Sequence, residues 1–191
     1  AYTAKDYEKA LHIYKQLKDK AASMERRQLA KTGMLRSAHM LGNEEEIIFT
    51  ATDLLADTKL APELSNEAHY YRAKAYLDAG KTDGAMEDLK ILAKDTRNVY
   101  GAEAKYKVAQ IYFDGGQTDK AEQEVLNYIE VSTPHTYWLA RSFVLLADVY
   151  MKSGRNLDAK QYLLSLKQNY QADDDIAGMI ESRLEKLKTE N

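Results

Sequence analysis

Apolar residues recur along the chain three and four residues apart, with charged and amide residues between them. This spacing places the apolar side chains on one face of an α-helix. Strong helix formers dominate, and only two prolines and nine glycines interrupt them, so an all-β fold is disfavoured. The pattern predicts ten helices, near residues 2–20, 24–41, 44–58, 64–79, 82–95, 101–114, 118–132, 135–153, 156–169 and 174–189.

The helical pattern itself repeats. In each of three copies an alanine is followed by a tyrosine, a glycine and a second alanine at fixed distances. These residues are Ala73, Tyr76, Gly80 and Ala85; Ala109, Tyr112, Gly116 and Ala121; and Ala147, Tyr150, Gly154 and Ala159. A weaker copy surrounds Gly42, and residues 7–17 match only the second half of the unit. Small residues let two helices pack closely, and the glycine ends the first helix, so the repeat predicts stacked helix pairs.

These residues resemble the tetratricopeptide repeat family, whose helix pairs carry a small residue and a tyrosine, then a glycine in the turn and an early alanine in the second helix. The resemblance implies an all-α, right-handed α-α superhelix of about ten antiparallel helices, a single solenoid over residues 1–191. The clear glycines lie 36 and 38 residues apart, more than the usual 34. In this they resemble the longer repeats of bacterial cell-envelope proteins that serve outer-membrane assembly or the Tol system.

The repeat divides the predicted solenoid into six parts. Residues 2–20 form the second helix of a truncated repeat, and helix pairs follow at 24–58, 64–95, 101–132 and 135–169. Residues 174–189 form a capping helix with the apolar stripe Ile176, Ile180, Leu184 and Leu187. If no helix precedes residues 2–20, part of the helix face that carries Tyr7, Leu11 and Tyr14 is uncovered. We therefore expect either upstream repeats or self-association through helix 2–20.

Composition and charge narrow the functional classes. A net charge of −3 favours neither nucleic acid nor an anionic membrane, no apolar run is long enough to insert, and there are no cysteines. Ala75–Thr82 satisfies a relaxed phosphate-loop pattern, but it lies on a predicted helix end whose glycine the repeat explains. The four histidines are dispersed. We expect no catalytic, cofactor or metal site, and an enzyme is the least favoured interpretation.

By resemblance to the family, a protein or peptide partner binds the concave side formed by the first helices. The expected partner-binding residues are Arg36, His39, Tyr70, Lys74, Asp78, Tyr106, Gln110, Phe113, Asp114, Val144, Asp148 and Met151. The alternative for each of these residues is that it is a solvated helix residue that binds no partner. The predicted function is a non-catalytic interaction scaffold; the alternative is a C-terminal structural segment of a longer solenoid in a cell-envelope assembly. The sequence is compatible with a location in the periplasm or in the cytoplasm.

Overall fold

Ten helices and no strands make up residues 4–189, the part of the chain that this computed structural model describes. The helices are α1 (Ala4–Lys20), α2 (Met24–Leu41), α3 (Glu44–Leu55), α4 (Pro62–Asp78), α5 (Thr82–Leu92), α6 (Val99–Asp114), α7 (Thr118–Glu130), α8 (Thr136–Lys152), α9 (Asn156–Asn169) and α10 (Ile176–Thr189). The all-α prediction is confirmed. The predicted start of the first helix, at residue 2, lies outside the described residues.

Two helices end three residues earlier than predicted, α3 at Leu55 and α5 at Leu92. After α3, the Asp57 amide donates only three residues back, to the Leu54 carbonyl, so the last turn tightens and the helix stops. Beyond α5, the Asp95 carboxylate accepts from the Arg97 amide and turns the chain.

Four helices end in the same turn. Gly42, Gly80, Gly116 and Gly154 all have left-handed backbone, with φ between 64° and 75°. The residue after each glycine donates its amide to a carbonyl five residues back, as Lys81 does to Tyr76 at 2.7 Å. This is the glycine-dependent helix ending that the repeat predicts. The helices that precede these glycines, α2, α4, α6 and α8, are called first helices below, and α3, α5, α7 and α9 are the second helices.

The chain divides into two compact units, Ala1–Leu92 and Ala93–Asn191. In the first unit, α2 packs against α1, α3 and α4, and α4 packs against α3 and α5. Its core is built largely from small and aliphatic residues, among them Leu35, Ala38, Ala51 and Leu54, each with 0% exposure. The repeated alanines Ala73 and Ala85 are also fully buried.

In the second unit, α6 packs against α7 and α8, α8 packs against α9, and α10 closes on α8 and α9. The repeated alanines of this unit are at most 1% exposed, and the predicted stripe of α10 is buried in the same core. The predicted helix and its apolar stripe are therefore part of this core, and its role as a cap stays a prediction.

Candidate partner-binding surfaces

The first unit brings its five predicted partner-binding residues onto neighbouring faces of α2 and α4. The two helices are joined by Arg36, whose Nε and Nη2 donate to the two carboxylate oxygens of Glu67, both at 2.7 Å. This paired geometry fixes the guanidinium plane. The Arg36 side chain nevertheless stays 59% exposed, while that of Glu67 is largely covered.

Ring contacts cover the next turn of the same two helices. The His39 imidazole stacks on the Tyr71 ring with centroids 4.1 Å apart, and Tyr70 tilts against Tyr71 at 5.7 Å. The Lys74 ammonium lies 5.5 Å from the centre of the Tyr70 ring, within cation–π range. Burial, and after it the charge of Lys74, lowers the pKa of His39. The imidazole is therefore neutral at physiological pH.

Exposed cations and half-buried rings thus lie side by side on this part of α2 and α4. Lys74 and Asp78 are exposed, and both are close enough to His39 to act on its pKa in opposite directions. We call the five residues Arg36, His39, Tyr70, Lys74 and Asp78 the α2–α4 surface. The exposed Lys74 ammonium can attract a carboxylate, since the Arg36 guanidinium is already paired with Glu67, while the rings offer flat apolar contact.

The second unit uses several of its predicted residues internally. Tyr106 is only 5% exposed, which corrects the expectation of an exposed aromatic there. Its hydroxyl donates to the Gln110 side chain at 2.9 Å, and the Gln110 amide donates to Asp114 at 2.8 Å. These bonds run along one face of α6, one turn apart. Gln110 and Asp114 remain the accessible members.

The other predicted residues of this unit divide between core and surface. Val144 is 1% exposed and belongs to the core, which corrects the expectation that its side chain faces a partner. Asp148 accepts from Arg183 of α10 at 2.8 and 2.7 Å, so it holds the capping helix. Phe113 and Met151 are half-buried, and the Lys152 ammonium lies 4.9 Å from the centre of the Phe113 ring.

An arginine surrounded by aromatic rings, not predicted from the sequence, joins α6 and α8. The Arg141 guanidinium lies 5.1, 5.7 and 6.0 Å from the ring centres of Tyr106, Tyr137 and Trp138. It donates to the hydroxyls of Tyr137 and Tyr106 at 2.9 and 3.3 Å, and to Asp175 at 3.2 Å. The repeat register contains a signal for this contact. Arg141 stands thirteen residues before its turn glycine, as Glu67 does.

A cleft of about 300 Å³ lies between α1 and α2. Tyr7 and Tyr14 line one wall, and the exposed residues Leu29 and Met40 line the other. Tyr7 and Tyr14 are half-buried, and Leu11 is 9% exposed, so the face predicted to be uncovered is covered at Leu11. Self-association through this helix stays a prediction.

The amides of the phosphate-loop pattern are already committed to the helix ending. The amides of Ala79, Gly80 and Lys81 donate to backbone carbonyls of α4, at 3.0, 3.0 and 2.7 Å.

Within residues 4–189 no group of three or more His, Cys, Asp or Glu residues could hold a metal ion. Over the same range, no helix combines the length and the apolar character that crossing a membrane requires.

Stacked helix pairs with identical glycine endings define an all-α helical repeat protein. Residues 67–95 match the family model of the tetratricopeptide repeat. Among solved structures, MamA is similar with a TM-score of 0.65 and 19% identity, over 98% of this chain and 93% of that one. A Podospora anserina kinesin light chain protein with nearly identical TPR-like repeats is similar with a TM-score of 0.61 and 19% identity, over 86% of each chain. No curated protein sequence matches significantly.

The tetratricopeptide-like solenoid fold is therefore confirmed, and the repeat assignment is supported by one matched repeat together with that fold. Proteins with such repeats generally serve as non-catalytic scaffolds that bind other proteins. The cell-envelope subtype stays a prediction.

Proposed function

We propose that this chain is a non-catalytic protein-interaction module that binds a segment of a partner protein on its α2–α4 surface. The observation that supports this proposal most directly is the continuous run of contacts from Lys74 over Tyr70 to Tyr71 and His39. The partner segment carries an acidic side chain for Lys74, next to an apolar or aromatic residue that packs on Tyr70.

The surface suits recognition more than stabilisation of the fold. Lys74 and Asp78 are exposed, and the Lys74 side chain lies over a ring without an ion-pair partner within residues 4–189. An exposed cation–π contact of this kind contributes only about 0.5–1 kcal/mol to stability. Desolvation by a bound segment strengthens the same contact, so its larger effect is on affinity.

The test uses peptides selected from a random phage-displayed library against the whole chain. Their dissociation constants are then measured by calorimetry for the wild type and for Tyr70→Ala and Lys74→Ala. We expect each substitution to weaken binding about tenfold, the effect of losing one anchor residue. Lys160→Ala, an exposed lysine of α9, is the matched control and leaves the affinity unchanged. If the selected peptides bind Tyr70→Ala and Lys74→Ala as tightly as they bind the wild type and the control, the α2–α4 surface is refuted as their binding site.

The structural alternative, a segment of a longer solenoid in a cell-envelope assembly, stays a prediction. It is compatible with partner binding, because a solenoid can stack on further repeats and bind a segment on its first helices at once.

A further inference from the structure

His39 is the one residue of the α2–α4 surface whose side chain is of the type that titrates near neutral pH. Its half-buried imidazole stacks on the face of Tyr71, with ring centroids 4.1 Å apart and ring planes 23° apart. A cation above an aromatic face is attracted by the electrons of the ring. The stack that holds the neutral imidazole therefore also accommodates the protonated one.

The charged groups that act on His39 lie on α4. Burial lowers the pKa of His39 first, and the Lys74 ammonium lowers it further. The carboxylates of Asp78 and Glu67 act in the opposite direction. That of Glu67 is already paired with Arg36 of α2. After burial, Lys74 is thus the group that keeps a proton off the imidazole.

Helices α1 and α3 also pack against α2, but within residues 4–189 they supply no charge that acts on the pKa of His39. On α1, Asp6 and Tyr7 line the cleft between α1 and α2, whereas His39 does not. Two acids of α3 are held in ion pairs, Glu46 with Lys15 and Asp53 with Lys31. Protonation of His39 therefore depends on α4, and most strongly on Lys74.

We infer that binding of an acidic segment to the α2–α4 surface is coupled to the uptake of a proton by His39, so that the segment is held more tightly as the pH falls. This coupling rests on the proposed function, because Lys74 must receive the acidic side chain. That side chain offsets the positive charge of Lys74 and adds a negative charge, and both effects favour the imidazolium. The segment also covers the ring, which opposes protonation, but the ring is already half-buried in the free chain. The charge effect is therefore the larger one.

The sign of the pH dependence follows from a pKa of His39 that is higher in the complex than in the free chain. Below both values His39 is protonated in both states, and the gain in affinity is complete. The gain is lost as the pH rises through the higher value. The coupling is reciprocal, so the proton tightens peptide binding by the same factor as the peptide tightens proton binding. For two charges at a solvated surface this factor is about twofold to fivefold.

The test uses a library-selected peptide that has blocked termini, one aspartate and no histidine. Such a peptide does not titrate between about pH 5 and pH 8. Calorimetry near neutral pH in two buffers of different ionisation enthalpy gives the number of protons taken up on binding. We expect uptake of a fraction of one proton, and a dissociation constant about twofold to fivefold lower at the acid end of this range. The same peptide with asparagine in place of its aspartate takes up no proton.

Variants of the chain assign the proton to its residue. In His39→Gln the proton uptake is lost, and the affinity no longer depends on pH. His12→Gln, at an exposed histidine of α1, is the matched control and retains both. Lys74→Gln tests the electrostatic link without any peptide, because it raises the pKa of His39 in the free chain. That pKa is measured from the imidazole Cε1 proton by NMR, and the signal is assigned by its absence from His39→Gln.

The wild type alone provides a second measurement if His39→Gln does not fold or does not bind. The NMR titration of His39 is then made with and without saturating peptide, and its signal is identified among the four histidines by its shift in Lys74→Gln. We expect a higher pKa of His39 with the peptide bound.

Three results would overturn the coupling. One is proton uptake that persists in His39→Gln, which assigns the proton to another group. The second is an equal pKa of His39 with and without peptide, and the third is a pKa that Lys74→Gln leaves unchanged. Peptides that lose affinity in Tyr70→Ala and Lys74→Ala but take up no proton retain the proposed function and refute the coupling alone. Peptides that bind these two variants as tightly as the wild type refute both.

Discussion

A methyl group added at Gly33 tests the packing of α1 on α2 directly. A Cβ atom there would lie 2.5 Å from Cε1 and Cζ of Tyr14 and 2.6 Å from Cδ1. These are ring atoms of a half-buried side chain, so either the Tyr14 ring or α1 itself must shift to make room. Gly178 in α10 is the natural comparison, because a Cβ added there meets nothing within 4 Å.

The expected free energies of unfolding follow from two opposing terms. Alanine in place of a helical glycine stabilises by about 0.5–1 kcal/mol. Overpacking against a ring costs about 1–3 kcal/mol. Gly178→Ala therefore stabilises the protein by about 0.5–1 kcal/mol, whereas Gly33→Ala has a net cost of about 1 kcal/mol. The difference of about 2 kcal/mol between two identical chemical changes is the quantity to measure.

Urea denaturation followed by circular dichroism measures both variants against the wild type. A Tyr14→Leu background supplies the control, because without the ring Gly33→Ala loses its penalty and becomes neutral or stabilising. If Gly33→Ala is more stable than the wild type in the unaltered background, the close contact between Gly33 and Tyr14 is refuted.

Two further predictions concern the turn glycines and a buried acid. Gly80→Ala costs about 1–2 kcal/mol in urea denaturation because φ is +70°, and an equal stability would refute the need for glycine there. Burial opposes ionisation of Asp88, yet hydrogen bonds with Arg72 and His69 lower its pKa below the usual 3.8. Its stabilisation is thus present at neutral pH and is lost as the pH falls through that lowered pKa. Asp88→Asn costs about 2–3 kcal/mol at neutral pH, and this difference shrinks in acid; a difference independent of pH contradicts it.

The repeat spacing predicted the architecture because each recurring element of the pattern has one local cause. Gly80 needs only its own left-handed backbone, and Ala73 needs only a close neighbour, so both could be predicted from the chain alone. The three- and four-residue spacing of apolar residues likewise placed Leu184 of α10 in a buried stripe. These features depend on period, not on which residues the neighbouring helices carry.

The candidate surfaces could be predicted only in part. The position of a residue along a helix indicates which way its side chain points, but it does not indicate how much of that side chain is exposed. Tyr70 and Tyr106 both stand ten residues before a turn glycine, yet Tyr70 is half-buried and Tyr106 is 5% exposed. Around Tyr106 the neighbouring helix supplies Trp138 and Arg141, whose ring and guanidinium cover it. The repeat period cannot specify such a neighbouring residue, because the neighbour is distant in sequence and differs from repeat to repeat.

The charged contacts that α2 and α8 make with the helices packed against them differ from repeat to repeat. Arg36 and Asp148 both stand six residues before a turn glycine, but they have opposite charges, and each faces a partner of the opposite sign, Glu67 and Arg183. If α2 packed against α8 instead, Arg36 would face Arg141, and two like charges would meet. The opposite charges at these two equivalent positions therefore favour the native neighbour of each helix over the neighbour from another repeat.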